Sequence, residues 1–168
     1  MGEGISCRCK KCGYTFSANL GVGFMFPKVY SETVSEMKKG TFGEIGKQFF
    51  EEYPHGAISC DTVVFQCEDC GEYIAAPELS MYIPKDDSNV KVSSGNWSMA
   101  FSGDGINYVT KRDLMESYQL LNHYEHRCFK CNGKMKLVTD FEEKLNDGEL
   151  KCGRCGDVLE LQSMIMWD

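Results

Sequence analysis

The sequence predicts a small α+β fold: two units of short antiparallel sheet, the first with a helical insertion, joined by strand-like pieces and one amphipathic helix. Three observations predict it. Eight of the ten cysteines fall into four C-x-x-C pairs, Cys9/Cys12, Cys67/Cys70, Cys128/Cys131 and Cys152/Cys155. Apolar and polar residues alternate beside several of these pairs, with the period of a half-buried strand. Between the first two pairs, and again before the third, the apolar spacing changes to three and four, the period of a helix.

The chain has 168 residues, 42% hydrophobic and 26% charged, which is enough for one globular domain or two small ones. No apolar run approaches the roughly 20 residues of a membrane helix, so no membrane partner is expected. Met1 to Cys12 carries Cys and Lys where a secretory signal has a hydrophobic stretch. The expected location is the cytoplasm, where disulfides seldom persist, and the paired cysteines are therefore read as metal ligands. Two thiolates three positions apart on a tight turn both reach one ion about 2.3 Å away, and two such knuckles complete a tetrahedron. Glycine follows the second cysteine as Gly13, Gly71 and Gly156, and follows Asn132 as Gly133; it supplies positive φ where the backbone folds around the ion. The expected cofactor is Zn2+, as two structural ions on eight thiolates.

The first two knuckles lie 54 residues apart, so pairing them requires an insertion. It is expected over about 31–53. Ser31 is expected to cap a short helix with Val34 and Met37 on one face. Thr41 and Glu44 form a candidate capping box before Phe42, Ile45 and Phe49, and Pro54 closes the insertion. Thr62 to Gln66 is a β-branched strand leading into the second knuckle, and Tyr73, Ile74, Leu79, Tyr82 and Ile83 continue beyond it. The polar run Lys85 to Asn89 then divides the chain into units 1–86 and 87–168. Strand-like pieces follow around Val92, Trp97, Met99 and Phe101, broken at Gly95 and at Gly103-Asp104-Gly105. Thr110 with Asp113 starts a helix over about 111–124, with Leu114, Tyr118 and Leu121 sharing a face.

Cys131 and Cys152 are separated by 20 residues, which fits the C-x2-C-x15-20-C-x2-C zinc spacing. Met135, Leu137, Thr139 and Phe141 alternate as a strand, Asn146-Asp147-Gly148 supplies a turn, and alternation returns from Leu159 to Trp167. Knuckle, strand, turn, knuckle, strand is the plan of a zinc ribbon, here 128–168. The four knuckles allow sequential, interleaved or nested pairing. Sequential pairing is preferred, because the C-terminal set alone has ordinary ribbon spacing. It makes the fold metal-dominated, with two zinc ribbons.

Cys-Arg-Cys-Lys-Lys-Cys-Gly-Tyr at the start and Cys-Gly-Arg-Cys-Gly-Asp near the end resemble the knuckles of the zinc-ribbon fold group. With Leu20-Gly21-Val22-Gly23-Phe24 and the closing Met164-Ile165-Met166-Trp167-Asp168, the chain as a whole resembles bacterial tandem zinc-ribbon proteins. The resemblance implies metal and brings no activity, since one fold serves many jobs.

Formal net charge is −7, and two zinc ions on eight thiolates take it to roughly −11, which excludes a general duplex-DNA binder. Basic residues nevertheless gather at the knuckles. Arg127, Lys130, Lys134, Lys136, Lys151 and Arg154 are candidate phosphate contacts at the tip of the C-terminal ribbon, although lysines beside four thiolates also offset thiolate charge. An acidic body with basic tips suits a protein partner better. Phe24, Phe26 and Phe50 are candidate members of an apolar patch for a partner or a second copy, in which Phe24→Ser or Phe50→Ser spares folding.

Other chemistries fit less well. His55 lacks the following glutamate of zinc deaminases, and Gln66, not proline, precedes Cys67. His123 and His126 read as helix-end or surface histidines. Leu20 to Pro27 lacks the Lys-Ser/Thr of a phosphate loop. Cys7 and Cys60 fall outside the pairs as buried packing residues or alternative ligands. No catalytic residue is assigned. The function expected is a non-enzymatic protein-interaction module or adaptor of bacterial or phage type. A nucleic-acid-binding regulator is the alternative, and a zinc or thiol-redox enzyme the second.

Overall fold

The computed structural model describes residues 2–23, 25–86, 93–95 and 106–167. In chain order these form β1 (Gly2–Arg8), β2 (Thr15–Gly21), α1 (Phe26–Lys39), α2 (Glu44–Glu52), β3 (Ala57–Ile58), β4 (Thr62–Cys67), β5 (Tyr73–Pro77) and β6 (Met81–Pro84). Then come β7 (Ser93–Gly95), β8 (Ile106–Tyr108), α3 (Lys111–Ser117), β9 (Tyr118–Asn122), β10 (Met135–Leu137), α4 (Phe141–Asn146) and β11 (Glu160–Trp167). The fold is α+β with antiparallel sheets, as expected. Its division is not a cut near residue 86. One unit gathers 1–24, 61–77 and 125–168, and the other 25–60 and 78–124.

The first unit holds all four knuckles on one six-stranded sheet, ordered β10-β4-β2-β1-β11 with β5 also paired to β4. The β1–β2 hairpin carries the first knuckle in its loop, and the β4–β5 hairpin carries the second. Strand β11, which follows the fourth knuckle, pairs with β1. Strand β10, which follows the third, pairs with β4. Two three-stranded ribbons thus result, β2-β1-β11 and β5-β4-β10, joined where Gly21 of β2 pairs with Thr62 of β4. In β2 the alternation is clean: Phe16 and Ala18 are buried while Thr15, Ser17 and Asn19 are exposed. The Phe16 ring lies 5.7 Å from that of Tyr73 and 6.1 Å from that of Phe141, over Ile5, Cys7, Leu145 and Leu159.

The strand expected from Met135 to Phe141 stops at Leu137. Asp140 takes the left-handed conformation, φ 53°, and Phe141 to Asn146 forms α4, which sets Phe141 and Leu145 into the core one turn apart. The alternating pattern was real, but burying Phe141 against Phe16 and Tyr73 is better served by a helical turn.

The second unit contains the helices expected between the first two knuckles, but their caps differ. Helix α1 begins at Phe26 with Pro27 in its first turn, so Ser31 lies inside it; a proline with φ preset for the helix is the stronger start signal. Thr41 Oγ1 donates to Glu36 Oε2 at 2.7 Å rather than capping α2, whose N-cap is Gly43 at φ 91°. The box at Thr110 and Asp113 is present in full. Helix α3 ends at Ser117, however, because Tyr118 turns extended and Tyr118–Asn122 pairs with β6 in the sheet β3-β6-β9. Leu114 and Tyr118 are buried, while Leu121 is exposed. Lys85 Nζ donates to the Met115 and Glu116 carbonyls, so the polar run begins within this unit and not as a link between units. Gly95 lies in β7, paired with β8. Val92, Trp97, Met99, Phe101 and Gly103–Gly105 lie outside the described residues.

Phe50 is a correction to the expected partner patch. It is buried with Phe49 against Met37, Ile58, Leu79 and Met81, its ring 4.9 Å from that of Phe49 and 5.1 Å from Lys38 Nζ. Phe26 is half-buried against Tyr30 and Tyr108, and Phe24 lies outside the described residues. Phe50→Ser is therefore expected to unfold this unit, at a cost of about 3–5 kcal/mol, and not to act on association. Urea unfolding followed by aromatic circular dichroism measures it; an unchanged midpoint would contradict the packing.

Candidate metal centres

Each knuckle is the same backbone device. The amide four residues beyond the first cysteine donates back to that cysteine's carbonyl, as Gly13 to Cys9 (2.9 Å), Gly71 to Cys67 (3.1 Å), Asn132 to Cys128 (2.8 Å) and Gly156 to Cys152 (2.8 Å). The first cysteine's own amide donates to the carbonyl five residues on, in Tyr14, Glu72, Gly133 and Asp157. Closing this loop needs positive φ at the fourth residue, and Gly13, Gly71, Asn132 and Gly156 all have it, between 61° and 74°. In the third knuckle asparagine takes the left-handed role. Gly133 meets a different constraint: a Cβ on it would lie 2.2 Å from Asp69 Oδ2, which can swing away, and 3.0 Å from the Cys67 sulfur, which is held in its four-cysteine group.

The eight sulfurs form two groups, Cys9, Cys12, Cys152 and Cys155, and Cys67, Cys70, Cys128 and Cys131, with all ligand atoms of a group within 4.8 Å of one another. The pairing is nested, first with fourth and second with third, and not sequential. Spacing along the chain favoured joining Cys131 to Cys152, but β11 completes the sheet on β1 and β10 on β4, which carries each knuckle to the other partner. The C-terminal ribbon expected over 128–168 is accordingly split between the two centres.

The groups fit a tetrahedral ion. Sulfur separations are 3.4 Å for Cys9–Cys155, 3.5 Å for Cys12–Cys152, 3.4 Å for Cys67–Cys131 and 3.7 Å for Cys70–Cys128. A tetrahedron with metal–sulfur bonds of about 2.3 Å has edges of about 3.8 Å. The first cysteine of each knuckle is buried, while the second is exposed or half-buried at the turn. The Cys12 amide beside Cys9 and the Cys70 amide beside Cys67 lower these two thiols to about 7. At Cys131 the Gly133 amide favours the thiolate, but Cys67, Cys70 and burial outweigh it and push the group to about 12; Cys155 is pushed as high by burial and Cys9 against the Asp157 amide. Four sulfurs this close resist ionising together, and a divalent cation among them removes the resistance. With four protein donors each, the sets are closed, leaving no place for a reactive water.

The two centres also touch. Gly71, after Cys70, and Gly153, between Cys152 and Cys155, meet backbone to backbone: a Cβ on Gly153 would lie 2.1 Å from the Gly71 carbonyl oxygen. Tyr14 donates its hydroxyl to Glu72 Oε1 at 3.0 Å, and Lys130 reaches Glu72 Oε2 at 3.1 Å. Tyr73 donates to the Lys151 carbonyl at 2.9 Å. Burial and the Glu72 carboxylate raise the Tyr14 phenol, which stays a neutral donor. None of these partners is announced by a sequence motif. Glu72 and Tyr14 are marked only by lying just after a knuckle, and Gly153 only by being the small residue inside one.

The remaining candidates disperse. Cys7 is buried and donates to the Phe16 carbonyl at 3.5 Å, its thiol pushed to about 11 by burial. Cys60 is buried in the second unit, and neither cysteine joins a metal group. His123 Nδ1 bonds Ser80 Oγ, the His126 ring lies 4.2 Å from that of Phe65, and His55 is exposed. Arg127 pairs with Glu125, and Arg154 lies 4.9 Å over the Tyr14 ring. Arg127, Lys130 and Lys134 flank the second group and Lys151 and Arg154 the first, with Lys136 on β10. Among the described residues no helix is long and apolar enough to cross a membrane. No protein-family model, no curated protein and no solved structure matches the chain.

Proposed function

We propose that the chain is a structural-zinc module acting as a protein-interaction adaptor in the cytoplasm, a tandem zinc ribbon of bacterial type with the second ribbon nested in the first. Zinc is the ion that four-thiolate tetrahedral sets favour, and closed sets serve folding, not catalysis. Ten cysteines with no disulfide among the described residues suit a reducing compartment. The adaptor reading is carried by one observation. Strand β11 ends the sheet, with β1 as its neighbour, and exposes Leu161, Met164, Ile165 and Met166 along an uncharged run. Soluble proteins blunt such edges with charge or proline unless a partner strand covers them.

Ile165, 62% exposed, offers the test. A nuclease-treated pull-down from the protein's own host should yield one protein at near-equal amount, lost with Ile165→Lys while zinc stays at two per chain. Capture unchanged by the lysine would remove β11 as the interface.

A second reading has its own observation. Phe129, inside the third knuckle, is 79% exposed and flanked by Arg127, Lys130 and Lys134, an arrangement on which an unpaired base can stack. Salt-sensitive binding of single-stranded RNA or DNA, lost with Phe129→Ala, would favour a nucleic-acid regulator over the adaptor.

A further inference from the structure

We infer that the two metal centres load as one cooperative unit, with Glu72 as the residue that positions each knuckle against the other. The inference rests on the zinc reading above. It follows from which residues each ion would order. An ion held by Cys9, Cys12, Cys152 and Cys155 fixes the loop containing Gly153 and the turn that presents Tyr14. Those are the groups against which Gly71 and Glu72 of the other centre rest. An ion held by Cys67, Cys70, Cys128 and Cys131 fixes Gly71, Glu72 and, through the third knuckle, Lys130, which closes the chain Tyr14–Glu72–Lys130 across both centres. The Tyr73 hydroxyl on the Lys151 carbonyl ties the same two loops a second time.

Each ion therefore orders part of the other's ligand loops, and that ordering entropy is lost once for two binding events. By linkage the effect is reciprocal. Glu72 is suited to the role because its side chain is only 14% exposed and spends both oxygens on the two centres. Its contact with the ligands is made by the backbone amide, which favours the Cys70 thiolate and survives a change of side chain, so substituting it leaves the ligands intact.

The test is a Zn2+ titration of the metal-stripped full chain, read by native mass spectrometry, which counts chains with no, one and two ions. Two independent equal sites put half of the chains in the one-ion form at half-loading, and unequal sites put more there. Only positive coupling brings that form below half. Coupling of about fivefold or more, the low end of the usual range, brings it to about a third or less. Wild type is expected there. Glu72→Ala should return the one-ion form to half or above while still taking two ions in excess zinc. Glu72→Gln, which keeps an acceptor for Tyr14 and loses the ion pair with Lys130, should fall between.

A wild-type one-ion form at half or above that Glu72→Ala does not raise overturns the coupling. A low one-ion form that Glu72→Ala leaves unchanged overturns the part given to Glu72, as does a variant that takes no zinc in excess, since Glu72 would then serve the fold itself. Wild-type chains that bind no zinc at all overturn the metal reading instead, so the two failures are distinguishable.

Discussion

Replacing Cys152 with serine is expected to unfold β1 and β2, at the other end of the sequence, along with β11. Cys152 shares its centre with Cys9 and Cys12, and the strands that flank those ligands form one sheet, β2-β1-β11. The apolar core beneath includes Ile5, Phe16, Phe141 and Leu159, and Cys9 and Cys152 are themselves part of it. A structural four-thiolate zinc site has an apparent binding free energy of about 10–16 kcal/mol, while whole domains are stable by about 5–15 kcal/mol. A serine hydroxyl does not ionise to replace the thiolate, so the loss is comparable with the stability of the unit. Hydrogen exchange gives the decisive pattern. Amides of residues 2–8 and 15–21 should lose protection together with those of 160–167. Sequential pairing would instead confine the loss to 128–168, and protection retained in β1 and β2 would refute the nested assignment.

Gly153→Ala should lower stability by at least about 1–3 kcal/mol and weaken zinc retention at both centres. The added Cβ would lie 2.1 Å from the Gly71 carbonyl oxygen and 2.9 Å from its Cα, and these are backbone atoms fixed by the second knuckle. No rotamer change relieves such an overlap, so one loop must move away from the other. Gly156→Ala is the matched control. Gly156 has φ 73° with nothing within 4 Å of a Cβ, so alanine there costs only the left-handed backbone, about 1–2 kcal/mol, at one centre. Competition with a chromogenic chelator separates the two. Gly153→Ala should release both ions early, whereas Gly156→Ala should release chiefly the ion of its own knuckle. Two equal, single-centre losses would show that the knuckles do not bear on each other.

Several features were legible because they are local. A C-x-x-C pair with a left-handed residue after it specifies its own turn, so all eight ligands could be read from spacing. Thr110 and Asp113 form their capping box within four residues, and Thr62 to Cys67 is a β-branched run whose Val64 and Phe65 are buried on opposite faces. Where two local solutions compete, the pattern misled. Leu114, Tyr118 and Leu121 have helical spacing, yet Tyr118 to Asn122 becomes a strand because β6 offers it an edge. Met135 to Phe141 alternates, yet its end coils because Phe16 and Tyr73 supply a site for Phe141. Phe50 looked surplus to a small core until Ile58, Leu79 and Met81 converged on it from distant parts of the chain.

The sequence by itself determined that this protein has four C-x-x-C knuckles, eight candidate thiolate ligands, an acidic body and strands beside its cysteines. These follow from bond lengths, side-chain chemistry and hydrogen bonds that close within a few residues. Only the tertiary structure decided which knuckles converge into one four-cysteine group, and that the two groups meet at Gly71, Gly153 and Glu72. It also left β11 at the edge of its sheet among the described residues. Every knuckle carries the same ligands at the same spacing, so nothing local distinguishes one partner from another. The choice falls to strand pairing, which brings residues 2–8 against 160–167 across nearly the whole length of the chain.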